Sequence, residues 1–334
     1  MSVIRNSPSE IIFFVTNKCN SQCKGCLYWP KLNNKKFKDL TFNEIKKIFT
    51  PLHKVKRILI SGGEPYLRND FVEICIFFNK KNIDFLFIPT NGILTKKILD
   101  QTKKILDNFS GYIKISVSID GTNEIYKKLR RKNTFRNSLN TLSGLIDLKK
   151  EYPNLSVGVS TRILNLNLQN IGKLILYLRK NYDLDFHFVF PIRGKLKEKY
   201  IKPPTQEQYK KISKINIDLY KGINKFMQKT FDCLIMDLLF NRQWPFKCVA
   251  GKYNGVIESD GAIRLCEILE PIGSLRGNSY NFDKIWNSRK SNVLRRIIKE
   301  GNCSKGCTHG CFLRPSFFVN PYELIKYSIK GIRL

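Results

Sequence analysis

The chain has 334 residues, 42% hydrophobic and 26% charged, with a formal net charge of +32. That length allows a full core and the composition is ordinary for a folded protein, which excludes a disordered or fibrous chain. No stretch reaches the roughly 18 to 20 uninterrupted apolar residues of a membrane span, and the opening MSVIRNSPSE lacks the apolar core of a secretory signal. A cytoplasmic location is expected. The positive charge would attract anionic partners. However, Lys is scattered along the whole chain beside abundant Asn and Ile, the pattern of an AT-rich genome, and no zinc-finger, homeodomain or RNA-recognition signature accompanies it. Nucleic acid is therefore not the expected partner.

In chain order, β-rich runs at 10–16, 57–61, 84–90, 113–119, 155–163 and 185–190 alternate with helical periods near 41–53, 69–81, 95–108, 134–150 and 167–181. Thr41 and Glu44 stand in capping-box spacing at the first helix. This alternation predicts a parallel sheet of right-handed βαβ units, either a partial barrel or a doubly wound sheet. In both, reactive groups belong at the C-terminal ends of the strands. The distinctive loops all follow strands: a cysteine loop after the first, SGGEP after the second, TNG after the third, SIDG after the fourth and PIRG after the sixth. One shared site is expected. The barrel or sheet is assigned to residues 1–195, a basic helical connector to 196–247, a small cysteine-rich unit to 248–321 and an apolar, basic tail to 322–334.

Ten cysteines are many for a reducing compartment, where clustered thiols read first as metal ligands. Cys75 and Cys233 stand alone in apolar helix-like segments and are expected to pack as small hydrophobes. The others fall at the two ends: Cys19, Cys23 and Cys26, then Cys248, Cys266, Cys303, Cys307 and Cys311. Structural zinc normally takes four closed ligands. Three cysteines as C-x3-C-x2-C suit a four-iron cluster whose fourth iron is left for an exogenous ligand.

CNSQCKGC, with SGGEP downstream, resembles the signature of the radical S-adenosylmethionine (SAM) enzymes. The resemblance implies a partial (β/α)6, TIM-like barrel in which Cys19, Cys23 and Cys26 hold a [4Fe-4S] cluster chelated by SAM. Reductive cleavage of SAM to a 5′-deoxyadenosyl radical then abstracts hydrogen from a substrate. Gly62, Gly63 and Glu64 match the family's GGE motif, in which glycine allows close backbone approach to the ligand and the carboxylate pairs with the methionine ammonium. Ser118 and Arg130 have the separation seen in the sulfatase-maturating branch, where those positions contact SAM, and an Arg fork suits a carboxylate. Alone, Arg130 would read as a solvated helix charge. Asn91 is expected to face the cofactor, and Tyr28 corresponds to an aromatic whose backbone meets the adenine. Gly25 departs from the family pattern, which carries an aromatic there.

CVAGKYNGVIESDGAIRLC, with Gly261 and Cys266 in a G-x4-C arrangement, and CSKGCTHGC resemble the SPASM/twitch extension, which holds auxiliary iron–sulfur clusters. Five thiols serve one auxiliary [4Fe-4S] cluster with one to spare; which four ligate is open, and His309 is a substitute ligand. The expected reaction is oxidation, epimerisation or bond formation on a small molecule or peptide, weighted toward an anionic one, with an external reductant such as flavodoxin or ferredoxin. The short stretch before Cys19 leaves no room for a leader-peptide recognition domain, which weighs against a ribosomal peptide. The alternatives are a zinc-stabilised nucleic-acid-binding protein and an iron–sulfur scaffold or electron-transfer protein.

Overall fold

A computed structural model of the chain describes residues 7–332 apart from 195, 219, 242–246, 301–302 and 304–306. Six strands, β1 (Glu10–Thr16), β2 (Arg57–Gly62), β3 (Phe85–Thr90), β4 (Tyr112–Ser118), β5 (Leu155–Ile163) and β6 (Phe186–Pro191), are joined by α1 (Phe42–Phe49), α2 (Phe71–Lys80), α3 (Thr95–Leu106), the pair α4 (Asn123–Arg130) and α5 (Phe135–Glu151), and α6 (Leu168–Asn181). All six expected strands are present, with ends moved by at most one residue; α4 is the helix that hydropathy does not announce. It is short and polar, and it buries only Tyr126, Leu129 and Arg130.

The sheet order is β6-β5-β4-β3-β2-β1, with every neighbour parallel. Such monotonic order decides between the two architectures left open by the pattern. Right-handed crossovers that always step in one direction put every helix on the same face, and the sheet curls into a partial barrel; a doubly wound sheet would reverse direction at a switch point. Alternation along each strand sorts the faces. Phe13 of β1 points to the helices and meets Phe49 and Phe78 at ring separations of 5.3 and 6.3 Å. Its neighbours Ile12 and Phe14 face the barrel cavity.

Beyond the barrel come α7 (Gln206–Ile217) and α8 (Gly222–Asn241), the short strands β7 (Asn254–Ile257), β8 (Ala262–Arg264) and β9 (Gly273–Ser274), then α9 (Phe282–Trp286), α10 (Arg289–Lys299), α11 (Gly310–Phe318) and α12 (Pro321–Ile332). β7 pairs in parallel with β1, Glu10 opposite Asn254 and Phe13 opposite Ile257, so the cysteine-rich segment continues the barrel sheet. Helix α8 lies over the open β6 side, bringing Gln228, Phe231 and Ile235 to the cavity, and packs its outer face in a second apolar cluster with Ile171, Tyr209, Leu313 and Tyr327. Cys233 is buried in that cluster and Cys75 in the main one, as expected for packing cysteines. No described helix is long and apolar enough to cross a membrane.

Candidate active site

The loop after β1 carries Cys19, Cys23 and Cys26, all with free thiols, over a cavity of about 690 Å³ that runs down the barrel. Local bonds fix the loop from both sides. Asn33, in a left-handed conformation, donates its amide to the Cys19 carbonyl and accepts from the Cys19 N–H, both at 2.9 Å. Lys24 N–H reaches the Leu129 carbonyl at 2.9 Å, and Arg162 donates to the Gly25 carbonyl at 2.7 Å. At Gly25 a Cβ would stand 3.0 Å from the Cδ1 tip of Ile192, the residue after β6, so a larger side chain there requires that tip to shift.

Gly62 and Gly63 are required by the chain itself. A Cβ would stand 2.4 Å from the Thr16 carbonyl oxygen at Gly62 and 2.0 Å from the Lys18 carbonyl oxygen at Gly63, and Gly62 has φ +102°. The close approach expected toward a ligand is thus toward the backbone that enters the cysteine loop. It turns Glu64 into the cavity, where the carboxylate accepts Thr90 Oγ1 at 2.8 Å and Asn91 N–H at 2.7 Å. Burial pushes its pKa up to about 7, against those hydrogen bonds. Asn91 lines the cavity too, but its amide is bound to Asn20 Oδ1 at 2.7 Å. Ser118 lines the cavity at the end of β4. Tyr28 is buried, its carbonyl closing a turn to Lys31 and Leu32 and its hydroxyl 3.0 Å from Ser259 Oγ.

Arg130 is no solvated charge: it is 4% exposed. Asp120, which the sequence reading passed over, organises it. Asp120 Oδ2 lies 2.7 Å from Arg130 Nη2 and 2.6 Å from Arg162 Nη2. Burial alone would raise the Asp120 pKa, but the two guanidinium groups hold it down at about 2. Arg130 Nη1 lies 3.5 Å from Cys23 Sγ. Burial opposes ionisation of Cys23 as well, yet Arg130 and Arg162 outweigh it and hold the thiol below its usual range; burial pushes Cys19 up to about 12 and also raises Cys26. Arg162, from β5, was the other residue missed, since a lone Arg in a strand carries no signal until the fold aims it inward.

These residues fit a chelating methionine. Arg130 Nε is buried with no hydrogen-bond partner among the described residues, and its Nη2 contact with Asp120 is close but not aligned as a hydrogen bond. The guanidinium therefore keeps donors for a carboxylate, while the buried Glu64 has no cationic partner in bonding contact among the described residues, Arg130 acting on it only at a distance. No group of three His, Cys, Asp or Glu side chains among the described residues converges as a single chelated ion requires. Thiolates of a four-iron cluster sit on separate irons and need no such convergence.

At the second cysteine group, Cys248 feels the charges of Cys303 and Cys307, and Cys266 those of Cys307 and Cys248; burial raises both thiols. Cys311 instead lines the barrel cavity, where Glu267 and Arg193 are its principal charged neighbours. His309 is buried, with Nε2 bound to Glu267 Oε2.

The site is thus a cavity inside a curled parallel sheet, with three free cysteines in the loop that follows the first strand. Residues 13–178 match the radical SAM superfamily, and the chain belongs to that superfamily. It is an enzyme family that uses a [4Fe-4S] cluster together with SAM. The chain is 29% identical over 208 residues to a probable GTP 3′,8-cyclase of Methanocaldococcus jannaschii, covering 60% of this chain and 66% of that protein, just under two thirds. It is 26% identical over 346 residues to a cysteine-type anaerobic sulfatase-maturating enzyme of Clostridium novyi, covering 91% of this chain and 88% of the relative. The crystal structure of Streptococcus suis SuiB bound to SAM superposes with a TM-score of 0.65 at 15% identity, over 87% of this chain and 68% of that one, which shows a shared fold.

Proposed function

We propose that the protein cleaves SAM reductively at Cys19, Cys23 and Cys26 and uses the product radical on a small molecule or peptide. The observation that carries this is the meeting, in one cavity, of the three loop thiols with Glu64 and the half-satisfied guanidinium of Arg130. Cluster and SAM, with one electron from a reductant such as flavodoxin or ferredoxin, supply a 5′-deoxyadenosyl radical that takes hydrogen from the substrate. The chain's own residues bind and orient. Glu64 receives the methionine ammonium and Arg130 its carboxylate, with Asp120 fixing the plane of the fork. Tyr28, Asn91 and Ser118 form the polar wall beside the nucleoside. In this reading the barrel is residues 1–195, the connector 196–247, the SPASM/twitch-like unit 248–321 and the tail 322–334.

An auxiliary [4Fe-4S] cluster is assigned to the C-terminal cysteines, among which Cys248 has Cys303 and Cys307 as charged neighbours and Cys266 has Cys307 and Cys248. Cys311 lines the barrel cavity and stays the fifth candidate; His309, its Nε2 bound to Glu267, keeps a buried Nδ1 with no partner among the described residues and stays a substitute ligand. Oxidation, epimerisation and bond formation are all compatible with the site. The test is anaerobic reconstitution with iron and sulfide, addition of SAM and dithionite, and quantitation of 5′-deoxyadenosine. Absence of that product from protein carrying its full iron would overturn the proposal.

A further inference from the structure

The cavity has a second end. Lys114, the third residue of β4, shares the inward face with Ser118 and lies four residues, about 13 Å, further down the strand from the SAM-binding loops. There its ammonium sits 3.9 Å from the Phe186 ring centroid and 4.9 Å from that of Phe188. Arg314 of α11 approaches the same Phe188 ring at 5.1 Å, and Phe231 at 4.3 Å. Two cations thus flank one aromatic ring inside a cavity, and among the described residues neither forms an ion pair. Burial, and then the charge of Arg314, push the Lys114 pKa down to about 8.

The carboxylates that act on them at a distance are committed elsewhere. Asp232 accepts from Tyr209 and Ser213, both at 2.7 Å, and from Gln228 at 3.0 Å. Asp185 accepts from Lys149 at 3.0 Å and from Val157 N–H at 2.7 Å. The aromatic faces soften the two charges without neutralising them. Like charges left facing a cavity with no counter-ion are a place for an anion to enter.

We infer that this basal end docks an oxyanion of the substrate, a carboxylate or a phosphate, between Lys114 and Arg314, with the substrate body packed on Phe188 and directed up toward the cysteine loop. The inference rests on the reading of the cavity as the site of SAM-dependent chemistry and adds to it the class of substrate. Phenyl phosphate and benzoate, each radiolabelled, are the probes, with benzamide as the uncharged control, in equilibrium dialysis against anaerobic SAM-loaded holoenzyme. At least one anion should be retained and benzamide should not, and the anion retained distinguishes phosphate from carboxylate.

Retention should fall about tenfold or more in Lys114→Met and in Arg314→Met. It should survive in Arg314→Lys, which keeps the charge, and in Lys299→Met, which removes an exposed one. Iron content and circular dichroism on the same samples report folding. Equal retention of benzamide, or unchanged retention in both Met variants, would overturn the inference. Wild-type protein that makes 5′-deoxyadenosine yet retains neither anion would overturn it alone, whereas wild type that makes none would remove the reading beneath it.

Discussion

Glu64 sets a pH dependence that the cysteines do not. Its carboxyl is buried and held at about 7, so below that value it is protonated and cannot pair with an ammonium. As pH falls from about 8 toward 6 the proton must be displaced for SAM to bind, and the apparent affinity should drop. Titration calorimetry of wild type and Glu64→Gln checks this: the variant should bind more weakly at the higher pH and lose the slope, and an equal slope in both would reject the pairing. Gly63 is a second lever. Alanine there puts a methyl group 2.0 Å from a backbone oxygen, so the cysteine loop must move; Gly63→Ala should retain the auxiliary iron and lose that of the loop, read as iron per chain. Much of this was legible in the sequence, because C-x3-C-x2-C and GGE are contiguous and each loop follows a strand. Asp120 and Arg162 were not legible, since their role is to hold a third residue, and only the fold brings all three together.

The short hairpin between β7 and β8 acts as a clamp on the cysteine loop. Ser259 accepts Leu40 N–H through its carbonyl at 2.6 Å and meets the Tyr28 hydroxyl, while Lys31 pairs with Glu258 and with Asp260. Arg276, just beyond β9, binds both oxygens of Glu44 at 2.8 and 2.9 Å. Glu44 is also the residue that closes the α1 capping box, so one carboxylate ends a helix and anchors the later segment. The sequence announced the cap through Thr41 and Glu44 but not the anchor, whose partner is more than two hundred residues away. Arg276→Met should lower stability by about 1 kcal/mol, a figure kept small because the guanidinium is a third exposed. Urea unfolding measures it, and an unchanged midpoint would mean that the contact contributes nothing in solution.

For the whole molecule, the two cysteine groups should act as separable metal sites on one continuous sheet. Reconstituted protein should carry about eight irons, and Cys19, Cys23 and Cys26 replaced together by Ala should leave about four, with no 5′-deoxyadenosine formed. Stoichiometric zinc would contradict this count, as would unchanged SAM cleavage in the triple variant. The barrel itself was legible as six alternating strands. Its curl was implied by the resemblance that C-x3-C-x2-C and GGE carry and not by the alternation, because strand period does not encode the direction in which successive crossovers step. The short strands β7 to β9 escaped for a related reason: two to four residues each are too few to show alternation, and β7 is a strand because β1 templates it.

That pairing has a consequence for how the protein is made. β2 follows β1 closely and can cover one of its edges early; the other edge waits for Asn254–Ile257, more than two hundred residues later. Until then the strand that leads into the iron-binding loop presents unpaired N–H and C=O groups, an invitation to association with other chains. A polypeptide stopped ahead of Asn254 would keep every cysteine of the first group and still be exposed to aggregation along that edge, so loading of the loop with iron is best placed after Asn254–Ile257 has paired.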